Sequence, residues 1–315
     1  MNHRNQRKAS QTRTERSSAQ ATRREWRRSA DNLDAIVAKA PEAGSVLDQL
    51  LARRDAVPSD LPDMLRLVTK QGTQFLRASM DVAPVNLEGV RLSPVAPLAR
   101  SALLAFSKVV SIATPLCWEV RGIGPALQHY HDGLVDMVIE QDRHALFDPS
   151  GAGATIWRQG GRLSMVEKIS GLREIMGEKP LKANGPNRGS LLVDEGSWIA
   201  DAQAQCIAIR QLEGAPRDEF EDRMRWAWHR GSVVAHTGFA TEATPAGLVL
   251  VYLSGDEATG LIRCATELAV AAQRVLGGAW SANAAPPSFA FNALHRLPKG
   301  APEIQSAITA TSAPA

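Results

Sequence analysis

Apolar side chains recur at every third or fourth position over most of this chain, the period of a helix with one buried face. Residues 29–39 carry Leu33, Ile36 and Val37, and the run 43–54 that follows Pro41 puts Val46, Leu47, Leu50 and Leu51 on one side. Pro62 stands where a first helical turn tolerates proline, and Met64, Leu65, Val68, Phe75 and Leu76 continue the pattern. Two stripes run through 94–112: Leu98, Ala102, Ala105, Val109 and Ile112 form one, Leu103, Phe106 and Val110 the other. That segment is expected at the centre of the core, with Leu104 inside. Helices are expected over 125–147 and 196–212, the latter burying Trp198, Ile199, Ala202, Cys206 and Ile209. Another opens at Pro216. Ser254 with Glu257 three residues on reads as a capping box for a helix that ends at Gly277-Gly278 and carries Leu261, Ala265, Leu268, Ala272 and Val275 in register. Only 247–253 has the character of a strand. The fold class expected is therefore all-α, a multi-helix bundle-like globular domain with at most a minor hairpin.

Punctuation divides the chain. Gly/Pro-rich stretches at 149–153 and 177–189 read as loops, and the second is long enough to be functional or to mark a sub-boundary near 177–190. The helical domain is expected over 29–278. From 279 to 315 Ala, Pro and Ser dominate, so that tail is expected to be largely disordered, with 289–297 apolar enough to dock.

Charge changes the picture at the other end. The whole chain holds 36 Lys/Arg and 33 Asp/Glu, a net +3, but residues 1–28 contain nine of the basic residues and only Glu15 and Glu25, which makes them +7 and the remainder −4. This Ser/Thr/Gln-rich arm has almost no aliphatic residue to bury and is expected to be disordered on its own. Arg23, Arg24, Arg27 and Arg28 are its candidate nucleic-acid contacts. The partners it fits are RNA, DNA or an acidic protein, by salt-sensitive attraction. A bilayer is not among them: the strongest apolar run, 101–118, is broken by Lys108 and Pro115 and falls short of the ~20 residues a crossing helix needs. The N-terminus lacks the apolar core of a signal peptide, and Cys117, Cys206 and Cys264 are isolated, so a cytoplasmic location is expected.

Candidate chemistry concentrates in 226–238, WAWHRGSVVAHTG. On a helix Asp222, Arg225, His229, Ser232 and His236 are spaced 3, 4, 3 and 4 and form one polar stripe between apolar flanks, so the stripe is expected to sit at least partly against protein. One reading makes it a hydrogen-bonded seam between helices. The other makes the two histidines acid and base, with Arg225 or Arg230 neutralising a phosphorane-like transition state. His129, His131 and His144 near Asp132, Asp136 and Glu140 invite a metal, yet carboxylates four residues apart are the pattern of a solvated helix face, and no metal is assigned. No phosphate-binding glycine motif occurs, so no cofactor is assigned either.

The segment WHRGSVVAHTG resembles the Y-R-x-L-S-x-x-x-H-G signature of bacterial helical proteins of the DUF5677 type, which are related to the HEPN superfamily. VAPLARSALLAF is similar to their upstream L-x-R-S-x-x-E-A helix, and GPNRGSLLVDEGSWIADA to the linker before the motif helix. The resemblance spans about residues 90–278. It implies a helical domain and, by analogy with HEPN ribonucleases and their R-x4-6-H motif, metal-independent RNA cleavage in stress or phage defence, in a chain acting as a homodimer. Arg230 and His236 would carry that motif, with His229 and Ser232 beside them. This chain departs from the signature: His229 stands where the family has Arg, and Leu104 where it has Glu. Two functions follow as expectations, a noncatalytic helical interaction protein that touches nucleic acid through its basic arm, or a HEPN-like ribonuclease.

Overall fold

The computed structural model describes residues 3–45, 47–48, 61–83, 94–114, 124–182, 185–212, 218–237, 240–244, 247–251, 253 and 255–282; at 3–19, 207–212, 218–221, 235–237, 240–244, 247–251 and 255 it gives the backbone element alone. Its elements are α1 (His3–Val37), α2 (Leu61–Val82), α3 (Val95–Ala113), α4 (Gly124–Phe147), α5 (Ala152–Ile156), a π-helical segment (Trp157–Gly161), α6 (Arg162–Ile175), a 3-10 turn (Arg188–Ser190), α7 (Glu195–Leu212), α8 (Asp218–Thr237), strands β1 (Ala240–Thr244) and β2 (Gly247–Val251), and α9 (Gly255–Trp280). The fold is all-α, as the periodicity predicts. The strand expected near 247–253 is β2, which pairs antiparallel with β1 from Ala240↔Val251 to Thr244↔Gly247.

The centre belongs to α3, as expected. It packs against α2, α7, α8 and α9, and α1 lies across α2 and α9. By length and composition α3 could cross a membrane, but 67% of its apolar window is buried inside the protein. Alanines at 96, 99, 102 and 105 let neighbouring helices approach closely, while Leu103, Phe106, Val109 and Ile112 fill the space between. One approach is tight enough to require glycine: a methyl group on Gly72 of α2 would lie 2.7 Å from the Phe106 ring. Leu104, expected inside, is only partly buried and packs against the core from its margin.

A second, smaller core joins α4 to α6 through Leu134, Val135, Val138, Trp157 and Ile169. The helical segment 152–175 departs from the sequence reading, which has a loop to 153 and nothing assigned after it. Gly160, at φ 141°, breaks the helix there, and both halves still dock on α4. Trp157 Nε1 donates to Asp142 Oδ1 at 2.9 Å, Arg162 Nε to the same carboxylate at 3.0 Å, and Arg158 donates to the carbonyls of Ala145 and Pro149.

Two boundaries move. The arm expected to be disordered over 1–28 continues as helix back to His3. Packing begins before residue 29: Trp26, Ala30, Leu33 and Val37, spaced 4, 3 and 4, are all buried in the main core. Good helix formers (Arg, Ala, Gln, Glu) sustain the helix where the apolar stripe gives out. At the other end, α9 runs through Gly277-Gly278 to Trp280, because neither glycine takes a left-handed backbone and Trp280 has a site to fill. The buried indole donates to the Lys39 carbonyl at 3.1 Å, and Glu42 accepts from Ser281 and from the Ala282 amide. The tail from 283, including 289–297, lies outside the described residues, as do Cys117, Pro216 and Ser254 and the side chain of Ile209.

Candidate functional site

The motif helix α8 packs on α3, α7 and α9 and turns its remaining side outward. Its buried line is Met224, Ala227 and Gly231, with Val234 partly covered, at spacings 3, 4 and 3. Of the polar stripe, Asp222, Arg225 and His229 lie on the opposite side at ~100° per residue, and Ser232 lies at its edge toward α3. Asp222, Arg225 and His229 are exposed, whereas Ser232 is half-buried and bonded to α3, so the stripe meets protein at that point of its length. The flanking Trp226 and Val233 are both more than a third exposed, and the helix is covered along Met224, Ala227 and Gly231.

Gly231 sets the geometry toward α3. A methyl group on it would lie 2.9 Å from Cβ of Arg100, so the two helices pass at a separation that only glycine allows. Ser232 is thereby brought beside Arg100, whose Nε donates to Ser232 Oγ at 3.0 Å. The same guanidinium lies 4.3 Å over the Trp228 ring and ion-pairs with Glu195 in the first turn of α7. A fork held on three sides in this way ties α3, α7 and α8 together. Toward α9, Arg223 pairs with Glu267 at 3.2 Å and Arg230 with Glu257 at 2.8 Å, and the Trp226 ring rests against Gly260.

The four residues of the ribonuclease reading are therefore not gathered into one cluster among the described side chains. Arg230 is engaged by Glu257 of α9, Ser232 by Arg100 of α3, and His229 faces outward. His236 lies on the last turn of α8, and its side chain is outside the described residues. Sequence reasoning passed over Arg100 and Glu195. The available signal was a charged residue in an otherwise apolar helix, within the very L-x-R-S segment that carries the family resemblance.

Lys108, two turns along α3 from Arg100, is the other such residue. Burial lowers its pKa, opposed by the carboxylates of Asp136, Glu195 and Asp132. Burial in turn raises Asp136, against the pull of Lys108. His129 is buried edge-on to Trp198, with centroids 5.9 Å apart, and burial with the nearby Lys108 charge pushes its pKa down to about 3. It is a neutral core histidine.

His131 and Asp132 form a separate buried network. Arg173 NH1 lies 3.2 Å from His131 Nε2, and a guanidinium can only donate, so Nε2 accepts and Nδ1 carries the proton that it donates to Asp132 Oδ1 at 2.8 Å. Asp132 also accepts from the amides of Leu192 and Val193, and Arg173 donates to the carbonyls of Lys179 and Ser190. The network holds both ends of the 177–193 loop against α4 and α6. With Nε2 occupied, this imidazole is unavailable as a base. His144 is exposed on α4, 3.7 Å from Glu140, and no three His, Cys, Asp or Glu residues among the described ones gather as a metal site would require.

Of the four arginines assigned to nucleic acid, two are used within the fold. Arg23 donates to the Ala83 carbonyl just past α2 at 2.7 Å, and Arg27 pairs with Asp81 at 2.6 Å. Arg24 and Arg28 are exposed.

Fold and site together define an all-α bundle whose basic N-terminal helix is anchored in the core. Set against models of known families, curated proteins and solved structures, the chain matches none.

Proposed function

We propose that this chain is a noncatalytic helical binding protein that attaches to RNA or DNA through its basic N-terminal helix. The observation that carries the reading is the continuity of α1: one helix joins the +7 arm to a stripe locked into the core by Trp26, Ala30, Leu33 and Val37. At 1.5 Å per residue it is on the order of 50 Å long. Arg24 and Arg28 are exposed off the core-facing stripe, and the helix ahead of them adds Arg4, Arg7, Lys8, Arg13 and Arg16 with no aliphatic residue larger than alanine. A row of cations on a helix fixed to a folded body suits phosphate backbones without sequence preference. The HEPN-like ribonuclease alternative needs Arg230 and His236 to converge, and Arg230 is committed to Glu257 on the side facing α9.

The test replaces Arg4, Arg7, Lys8, Arg13 and Arg16 with glutamine, which keeps helix propensity and removes charge. Retention of mixed-sequence oligonucleotides at about 50 mM salt should be lost, with an unchanged melting temperature. Undiminished retention refutes the reading. So does cleavage of RNA in EDTA that Arg230→Ala abolishes, which would instead establish the ribonuclease.

A further inference from the structure

Helix α1 is tied to the folded body from Arg23 onward. Arg23 donates to the Ala83 carbonyl at 2.7 Å, Arg27 pairs with Asp81 at 2.6 Å, and Trp26, Ala30, Leu33 and Val37 lie in the core. Ahead of Arg23 the same helix runs back over residues 3–22 without a glycine or a proline, a length of about 30 Å at 1.5 Å per residue. Arg4, Arg7, Lys8, Arg13 and Arg16 fall in this stretch. At ~100° per residue their positions spread round the helix axis with no gap wider than about 120°, so cation-bearing positions occur on every side. No Phe, Tyr or Trp precedes Trp26, and that indole is buried in the core.

We infer that α1 binds double-stranded DNA, with residues 3–22 lying in the major groove; this rests on the nucleic-acid reading above and names the form of nucleic acid. Shape supports it first. An α-helix with its side chains is about 10–12 Å across and the major groove of B-DNA about 12 Å wide, so the groove takes the helix whole. Charge supports it second. A helix seated in a groove has a phosphate backbone on either flank and uses cations on both, whereas a helix laid along a flat polyanion uses one face only. Exposed Arg24 and Arg28 follow where the helix joins the body, in reach of the phosphates at the groove's edge. Between the cations, Asn5, Gln6 and Gln11 supply the amides that pair with base edges in a major groove. The other forms of nucleic acid fit less well. Unpaired bases are held by stacking on aromatic rings, and the stretch has no Phe, Tyr or Trp to offer. Duplex RNA narrows its major groove to a deep slot and presents a shallow minor groove, which a single cationic face would suit better than cations all round.

The experiment is fluorescence anisotropy on the full-length chain at about 50 mM salt, with three labelled probes: a DNA duplex of about two helical turns, one of its single strands, and the RNA duplex of the same sequence. The DNA duplex should bind roughly ten-fold more tightly than either of the others. Bound protein should shield guanine N7, which lies in the major groove, from dimethyl sulfate and leave adenine N3, which lies in the minor groove, reactive. Gln11→Pro breaks the helix without touching a charge and should bring duplex binding down to the single-strand level, with an unchanged melting temperature. Single-strand or RNA-duplex binding as tight as that of the DNA duplex overturns the inference and leaves the nucleic-acid reading standing. Guanine N7 left reactive in the complex does the same, as does a Gln11→Pro protein that keeps the preference for the DNA duplex. Binding to none of the three probes refutes the nucleic-acid reading itself, and the inference with it.

Discussion

Replacing Gly231 with alanine tests the helix approach on which the described site depends. In the interior of an unconstrained helix, the change should stabilise by about 0.8–1 kcal/mol, since alanine loses less backbone entropy on folding. At Gly231 the new methyl would sit 2.9 Å from Cβ of Arg100, closer than packed carbons come. The obstructing atom is the first of the Arg100 side chain, fixed to the α3 backbone, so it cannot swing away as a chain end would. Relief requires α8 or α3 to shift, and overpacking of this kind costs about 1–3 kcal/mol. The two effects together predict a net loss of ~1 kcal/mol. Gly133, exposed within α4 with no atom within 4 Å of an added Cβ, is the matched control and should gain the full propensity term. Urea denaturation of both variants reads the difference directly. If Gly231→Ala stabilises as much as Gly133→Ala, then α8 and α3 do not meet as described, and the bond between Arg100 and Ser232 goes with that contact.

Acid should act through His129. Its folded pKa of about 3 lies below the ordinary 6.5, so above pH 6.5 it is neutral in both states and contributes no pH dependence. Below that the unfolded chain binds a proton that the folded one refuses, and stability falls by up to about 1.4 kcal/mol per pH unit as pH drops toward 3. His129→Phe keeps an aromatic ring against Trp198 and should lose this fall, so that wild-type stability minus variant stability drops between pH 6 and 4; an equal slope in both proteins would place the ring in solvent. On α3, Leu103→Ala should cost about 2–5 kcal/mol and Leu104→Ala clearly less, because Leu103 is enclosed while Leu104 sits at the margin of the core. Equal losses in chemical denaturation would mean that the helix is rotated from its described position.

What the sequence disclosed tracks how strongly burial imposes a period. In α3 and α9, apolar residues at helical spacing left one assignment, and both lie where that spacing put them. Trp198, Ile199, Ala202 and Cys206 were legible in α7 for the same reason. In α8 the period was legible and the closest contact was not: the helix is covered along Met224, Ala227 and Gly231, and closeness between backbones leaves no hydrophobic signature. The segment 157–162, WRQGGR, has no period from which a helix could be assigned. It is held by what a one-dimensional pattern omits, the indole and guanidinium bonds to Asp142 and to the end of α4. Arg100 was hidden for a related reason, since its partners Glu195 and Ser232 are 95 and 132 residues away.

The arm teaches the finer lesson about where a functional segment begins. Composition draws its boundary after residue 28, where the cluster of cations ends. Packing draws it earlier, because Trp26 is buried among core residues while Arg23 and Arg27 bind the end of α2. The two criteria disagree because arginine serves both purposes: its guanidinium satisfies carbonyls at the end of a neighbouring helix as readily as it meets phosphate. Exposed Arg24 and Arg28 alternate with engaged Arg23 and Arg27 along the same turns, so a count of charge cannot separate them and a helical face can. On this division the described anchor begins at Arg23, and the cations in it that face outward are Arg24 and Arg28. A cut after residue 28 would remove anchor and binding surface at once and would confound stability with affinity. Neutralising positions 4–16 leaves the described anchor in place and puts the question to charge alone.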